Sequence, residues 1–320
     1  MASKNQATAD KKNGPGNGNG NGDLESSLVN SVLKLEEIDC NLYRGNNLWK
    51  PAGGRGVFGG QVVGQALAAA AITRPENVRV HSLHSYFVQR GDPTVPILYH
   101  VDRIRDGKSF TVRSVKATQR NETILTMQVS YHKEEIGPFE YQYKMPQVPR
   151  PEDVPSTRER LQEFLEGDIT DRQRKVIQRM LATEIPIELK PIHYETHFRL
   201  TSGEEPKSLY WVKAKGHIGE REDLHHCVAA YISDMTLLST ALIPFPNFSP
   251  TMMASLDHAM WFHSPFKADE WMLYECENPR SVGARALIHG RLWRQDGVLA
   301  VSVTQEGVIR GKLRTKNSKL

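Results

Sequence analysis

Two stretches of this chain repeat one order of hydrophobic patterns. A glycine-rich entry at 53–60 leads into residues 61–73, apolar or small almost throughout and closed by Arg74-Pro75. That run predicts a buried helix, since proline after it restricts the preceding residue and cannot continue the hydrogen-bond ladder. Four stretches of strand character follow, near 78–88, 97–103, 110–118 and 123–132; in the third, Phe110, Val112, Val115 and Ala117 approximate the alternation of a half-buried strand. The second copy predicts a helix over 224–242, ended by Pro244, then strands near 253–262, 271–277, 284–293 and 298–309.

Local matches tie the copies together. Ser82-Leu83-His84-Ser85-Tyr86-Phe87 resembles the stretch from Ser255-Leu256-Asp257-His258 to Phe262. Arg120-Asn121-Glu122-Thr123-Ile124-Leu125 resembles Arg294-Gln295-Asp296-Gly297-Val298-Leu299, each at a predicted turn. One long helix followed by several antiparallel strands, twice over, predicts an α+β fold in which a curved sheet wraps a helix. The expected organisation is a low-complexity, disordered N-terminus at 1–23, a first unit at 24–133, a linker with a surface helix at 134–184, a second unit at 185–312 and a tail at 313–320.

Composition narrows the classes. Of 320 residues, 39% are hydrophobic and 24% charged, which fits packed cores, and no apolar run reaches the length of a membrane span. The net charge of +4 is a near balance, so no nucleic-acid partner is expected, while a polyanionic ligand is not opposed. Cys40, Cys227 and Cys276 are few and scattered, which favours a reducing compartment over a disulfide framework. Ser318-Lys319-Leu320 matches the tripeptide read by the peroxisomal import receptor, so the peroxisomal matrix is the expected location.

The familiar catalytic signatures are missing. There is no Gly-x-Ser-x-Gly elbow, and Asp106-Gly107-Lys108-Ser109 reads as a hairpin turn rather than a phosphate loop. His225-His226-Cys227 and His193-x-x-x-His197 lack paired partners at ligand spacing, so no metal is expected. The residue that most needs explaining is Asp234. On a helix over 224–242 its neighbours are Ala230, Tyr231, Leu237 and Leu238, so its carboxylate would project from the stripe that packs on the sheet. Such a group needs hydrogen-bond donors. It is either functional or a structural aspartate capping a strand end or pairing with an arginine. Ser255 and Gln305, on strands that would pass the helix, supply a hydroxyl and an amide that could hold one water with it.

Longer motifs go further. Gly59-Gly60-Gln61-Val62-Val63-Gly64-Gln65-Ala66-Leu67, His81 to Phe87, Arg105-Asp106-Gly107-Lys108-Ser109-Phe110, Tyr231-Ile232-Ser233-Asp234, Leu256 to His263 and Gln295 to Val308 resemble the acyl-CoA thioesterase II family, the C/M/P thioester hydrolases. The resemblance implies a double hot-dog fold and hydrolysis of fatty acyl-CoA to free acid and CoA, with no cofactor. It also implies a catalytic aspartate, serine or threonine, and glutamine, which fall on Asp234, Ser255 and Gln305. Asp234 would then draw a proton from a water positioned by Ser255 and Gln305, with amides near Gly59-Gly60 as oxyanion donors. Ser255 as nucleophile is the alternative, although no histidine base is assignable to it.

A rough overlay of the copies sets Gln65, Ser82 and Tyr131 of the first against this trio, which leaves the first copy without an acid at the matching helix position and implies one active site per chain. Competing readings are a hot-dog enoyl-CoA hydratase and a non-catalytic acyl-CoA-binding protein. The hydratase would use Asp257-His258, but adjacent strand residues point to opposite faces. Association into a homo-oligomer stays open.

Overall fold

The computed structural model describes residues 26–51, 54–167, 169, 171–199 and 205–313. The N-terminal segment 1–23 and the tripeptide Ser318-Lys319-Leu320 lie outside them.

The first unit comprises β1 (Glu36–Asp39), β2 (Leu42–Gly45), α1 (Gly59–Ile72), β3 (Arg79–Phe87), β4 (Ile97–Asp106), β5 (Phe110–Gln119) and β6 (Glu122–His132). Next come α2 (Thr157–Glu166) and α3 (Asp171–Ala182), where one surface helix is expected from sequence; Gly167 ends α2 with extended backbone. The second unit comprises β7 (Ile187–Pro191), α4 (Tyr194–His197), β8 (Lys207–Ala214), α5 (Glu222–Ser233), β9 (Phe248–Ser255), β10 (Asp257–Phe262), β11 (Met272–Val282), β12 (Arg285–Arg294) and β13 (Leu299–Leu313). All strands form one antiparallel sheet in the order β1-β2-β4-β5-β6-β3-β10-β13-β12-β11-β8-β7, with β9 also paired to β13. Read outward from the β3–β10 joint, the two halves have the same order. The duplication expected from the sequence is therefore built into the sheet.

Helix α1 is buried on nearly every side, which suits an element apolar all round. It packs against α5, and glycine makes the approach possible. A Cβ on Gly60 would sit 2.5 Å from the Tyr231 carbonyl oxygen, and one on Gly64 would sit 3.0 Å from that of Cys227. These contacts set the start of α1 beside the end of α5. The inward faces of the strands close around the pair, with Leu125, Met127, Val129 and Tyr131 from β6 and Val301 and Val303 from β13.

The outer face of the second unit is also apolar. Trp211, Leu273 and Trp293 form a cluster with Val154, against which Met145 and Val148 pack, and the Trp211 indole donates to the Pro149 carbonyl at 2.9 Å. The proline-spaced connection between the units is thus pressed onto the sheet.

Candidate active site

The expected helix over 224–242 stops at Ser233, earlier than the apolar run implies. Asp234 is its C-cap, Thr236 turns left-handed at φ 62°, and a short 3-10 helix, Leu237–Leu242, follows. Distant tyrosines hold the break open. The Tyr274 hydroxyl donates to the Ser233 carbonyl at 2.7 Å, and the Tyr210 hydroxyl donates to the Met235 carbonyl at 3.1 Å. Carbonyls without a following helical turn thereby find donors. Asp234 accordingly sits at a helix end and not within a helical stripe.

From that position its carboxylate reaches the other helix. Oδ2 accepts the Gly60 N–H at 2.9 Å, at the start of α1, where unpaired amides and the helix dipole favour an anion. Gly59 has to lack a side chain there, since a Cβ would lie 2.7 Å from Asp234 Oδ2. Oδ1 accepts from the Ser255 hydroxyl at 3.1 Å, and Gln305 Nε2 donates to Ser255 Oγ at 2.9 Å. The structure therefore brings all three sequence-predicted residues into one hydrogen-bonded chain. Among the described residues no arginine pairs with Asp234, and it caps no strand. Asp234 and Ser255 are partly exposed while Gln305 is fully buried, so the chain runs from accessible to enclosed.

Burial holds the Asp234 carboxyl above the usual carboxylate range, against the opposing influence of His258, Ser255, the Gly60 amide and Gln305. A carboxylate raised this way is a better proton acceptor near neutral pH than an exposed one.

The strands explain why these side chains meet. Gln305 continues the inward series Val301, Val303 along β13. Ser255 lies opposite Gly307 and Ala259 opposite Thr304, so four steps along β9–β10 span three along β13. This one-residue bulge around Leu256 shifts the phase of alternation, and Ser255 and His258 come to face the same interior. His258 is the residue that sequence reasoning left out of the site. It is fully buried, with Nδ1 at 2.5 Å from Gln305 Oε1 and Nε2 at 2.8 Å from Ser233 Oγ. Its signal was the inward series His258, Met260, Phe262. Asp257 turns away, as adjacent strand positions require, and accepts the Glu306 N–H at 2.8 Å.

Two other expectations change. The Gly60 N–H is taken by Asp234, which leaves Gly59 as the amide of that turn with no partner among the described residues. The rough overlay of the copies also shifts. Gln65 lies mid-helix and anchors Val32 and Tyr99, whereas the C-cap of α1, the position matching Asp234, is Thr73. The Thr73 hydroxyl receives Arg113 Nε at 3.0 Å, so the first unit still has no acid at this position.

Comparison with known proteins agrees with this architecture. Residues 47–132 match the acyl-CoA thioesterase N-terminal domain family, and residues 170–308 match the acyl-CoA thioesterase family. Acyl-coenzyme A thioesterase 8 of Mus musculus is 51% identical, with 93% of each chain covered. The crystal structure of an acyl-CoA thioesterase II from Mycobacterium marinum superposes with a TM-score of 0.70 at 31% identity, over 92% of this chain and 100% of that one. A hot-dog protein from Alicyclobacillus acidocaldarius has the same fold at 16% identity, with a TM-score of 0.68 over 89% of this chain and 98% of that one. The two half-chain matches, in tandem on the two halves of one sheet, account for the double hot-dog, and the chain belongs to the acyl-CoA thioesterase family.

Proposed function

We propose that this thioester hydrolase cleaves fatty acyl-CoA with a water held by Asp234, Ser255 and Gln305. The observation that carries the reading is the chain from the Gln305 amide through Ser255 Oγ to Asp234, whose second oxygen is tied to the start of α1. Asp234 takes a proton from the water as its oxygen bonds to the thioester carbon. When the C–S bond breaks, that proton goes to the departing sulfur, leaving fatty acid and CoA. The donor proposed for the oxyanion is the Gly59 N–H at the start of α1.

Water attack is preferred over an acyl-enzyme because the imidazole in this network contacts Gln305 and Ser233 and not Ser255. Mass spectrometry of enzyme quenched during steady-state turnover is expected to show only the unmodified chain. A species heavier by the acyl group and mapped to Ser255 would overturn the water mechanism.

We further propose that the enzyme acts in the peroxisomal matrix, to which the import receptor delivers it through Ser318-Lys319-Leu320. A fluorescent protein fused ahead of the full chain is expected to coincide with a peroxisomal marker and to become diffuse when those three residues are removed. Unchanged coincidence after their removal would sink the assignment.

A further inference from the structure

We propose that His258 is a positioning residue for the hydrolysis, fixing which way round the Gln305 amide lies and, through it, the hydroxyl of Ser255. The inference rests on the trio reading above.

A primary amide has nearly the same shape when flipped, but its donor and acceptor exchange places. At Gln305 the two ends face different demands. The single proton of Ser255 is directed to Asp234 Oδ1, so Ser255 Oγ needs a donor from behind, and Gln305 Nε2 supplies it at 2.9 Å. That orientation turns Gln305 Oε1 toward His258 Nδ1 at 2.5 Å, which must then carry a proton. If Nδ1 were bare, two acceptors would face each other in a fully buried place. Flipping the amide to relieve this would set a carbonyl oxygen against Ser255, and the serine proton would be divided between Gln305 and Asp234.

The Gln305 side of the ring fixes the tautomer, and Ser233 accommodates it: its hydroxyl, 2.8 Å from His258 Nε2, donates there in this arrangement in place of the Ala230 carbonyl at 2.9 Å. Burial lowers the pKa of His258 and so favours this neutral form. When the ring is charged, Ser233 has a second acceptor in the Ala230 carbonyl at 2.9 Å, so its hydroxyl can turn away. In the neutral state every donor runs one way, from Ser233 to His258, Gln305, Ser255 and finally Asp234. Chained bonds of this sense reinforce one another in a low-dielectric interior. The backbone of His258 is itself fixed from the first unit, because Ser85 Oγ donates to its carbonyl at 2.9 Å across the β3–β10 joint. His258 has two residues between it and Asp234, so the neutral ring acts on Ser255 through Gln305, whereas a charge on the ring would bear on Asp234 directly.

Thiol-release kinetics on the full chain test this with His258→Leu, His258→Asn, Gln305→Leu and the double variant His258→Leu/Gln305→Leu. His258→Leu is expected to lower kcat about ten- to hundredfold, the loss for a buried amide left without its partner, while KM stays nearly unchanged. His258→Asn, which can set an N–H close to the Nδ1 position, is expected to recover most of that loss. The double variant is expected to be no slower than Gln305→Leu alone, because the neutral ring acts on Ser255 through the amide. Losses that multiply in the double variant, or wild-type kcat in His258→Leu beside an impaired Gln305→Leu, would overturn the positioning role and leave the trio standing. Wild-type kcat in Gln305→Leu would instead overturn the trio and this inference with it. Nitrogen-15 NMR of histidine-labelled, unsubstituted enzyme reads the tautomer without any variant: protonated Nδ1 with bare Nε2 supports the proposal, and the reverse overturns it.

Discussion

Asp234→Asn is expected to cut kcat for thiol release roughly a thousandfold, the middle of the range for loss of a general base. Asparagine is isosteric, so its oxygen can still accept the Gly60 N–H and its amide can still face Ser255. It cannot take a proton from water. KM should change little, because the substituted group meets the reacting centre and not the bulk of the ligand. Retention of wild-type turnover would remove Asp234 from the mechanism.

Two pH effects accompany this loss. In the unsubstituted enzyme kcat/KM is expected to fall with decreasing pH through the Asp234 pKa, which burial places above the usual carboxylate range. The stability effect has the opposite sense. A carboxyl whose pKa is raised by folding binds its proton more tightly in the folded state. Its stabilising contribution is therefore complete below the unfolded carboxyl pKa and is lost as pH rises through the folded one. Asp234→Asn removes that term, so relative to wild type its melting temperature should gain at pH 7 over its value in acid. A melting-temperature difference between the two proteins that does not vary with pH would contradict the raised pKa.

The limits of reading the sequence lie at particular residues. Strands β3 to β6 and β10 to β13 were legible because each alternates long enough for one face to be inside. Strands β1, β2, β7, β8 and most of β9 escaped. β1 and β2 are only four residues each, and β1 has no buried position to create a pattern. The end of α5 escaped for a different reason. No glycine or proline precedes Pro244 in the apolar run, and the helix is ended by Tyr210 and Tyr274, hydroxyl donors from β8 and β11 that only the fold brings near. Asp234, Ser255 and Gln305 could still be picked out, since each is a polar residue on or beside an apolar face. His258 could not be joined to them. Strict alternation sends Ser255 and His258 to opposite faces, and only the bulge around Leu256 reconciles them. A bulge of this kind follows from strand pairing, which residue pattern alone does not record.

Gly60→Ala is the substitution expected to damage stability and catalysis together. In an isolated helix this change is favourable by about 1 kcal/mol, because glycine costs more backbone entropy. Here the added methyl would stand 2.5 Å from the Tyr231 carbonyl oxygen and 2.6 Å from the Phe58 ring. Backbone on one side and a buried ring on the other leave no flexible group to give way, so α1 and α5 have to separate. Overpacking of this kind costs about 1–3 kcal/mol, enough to outweigh the helix preference at its upper end. Gly64→Ala should cost less, because its nearest neighbour is the end of the Leu33 side chain at 2.8 Å, which can rotate, and the backbone oxygen it meets, that of Cys227, stands at 3.0 Å rather than 2.5 Å. Urea midpoints are therefore expected in the order wild type, Gly64→Ala, Gly60→Ala. Separation at Gly60 also pulls the α1 amide from Asp234 Oδ2, and a displacement near 1 Å in a reacting group can cost on the order of a hundredfold in rate. If Gly60→Ala kept both its midpoint and its kcat, close approach of the two helices would not be what seats the Asp234 carboxylate.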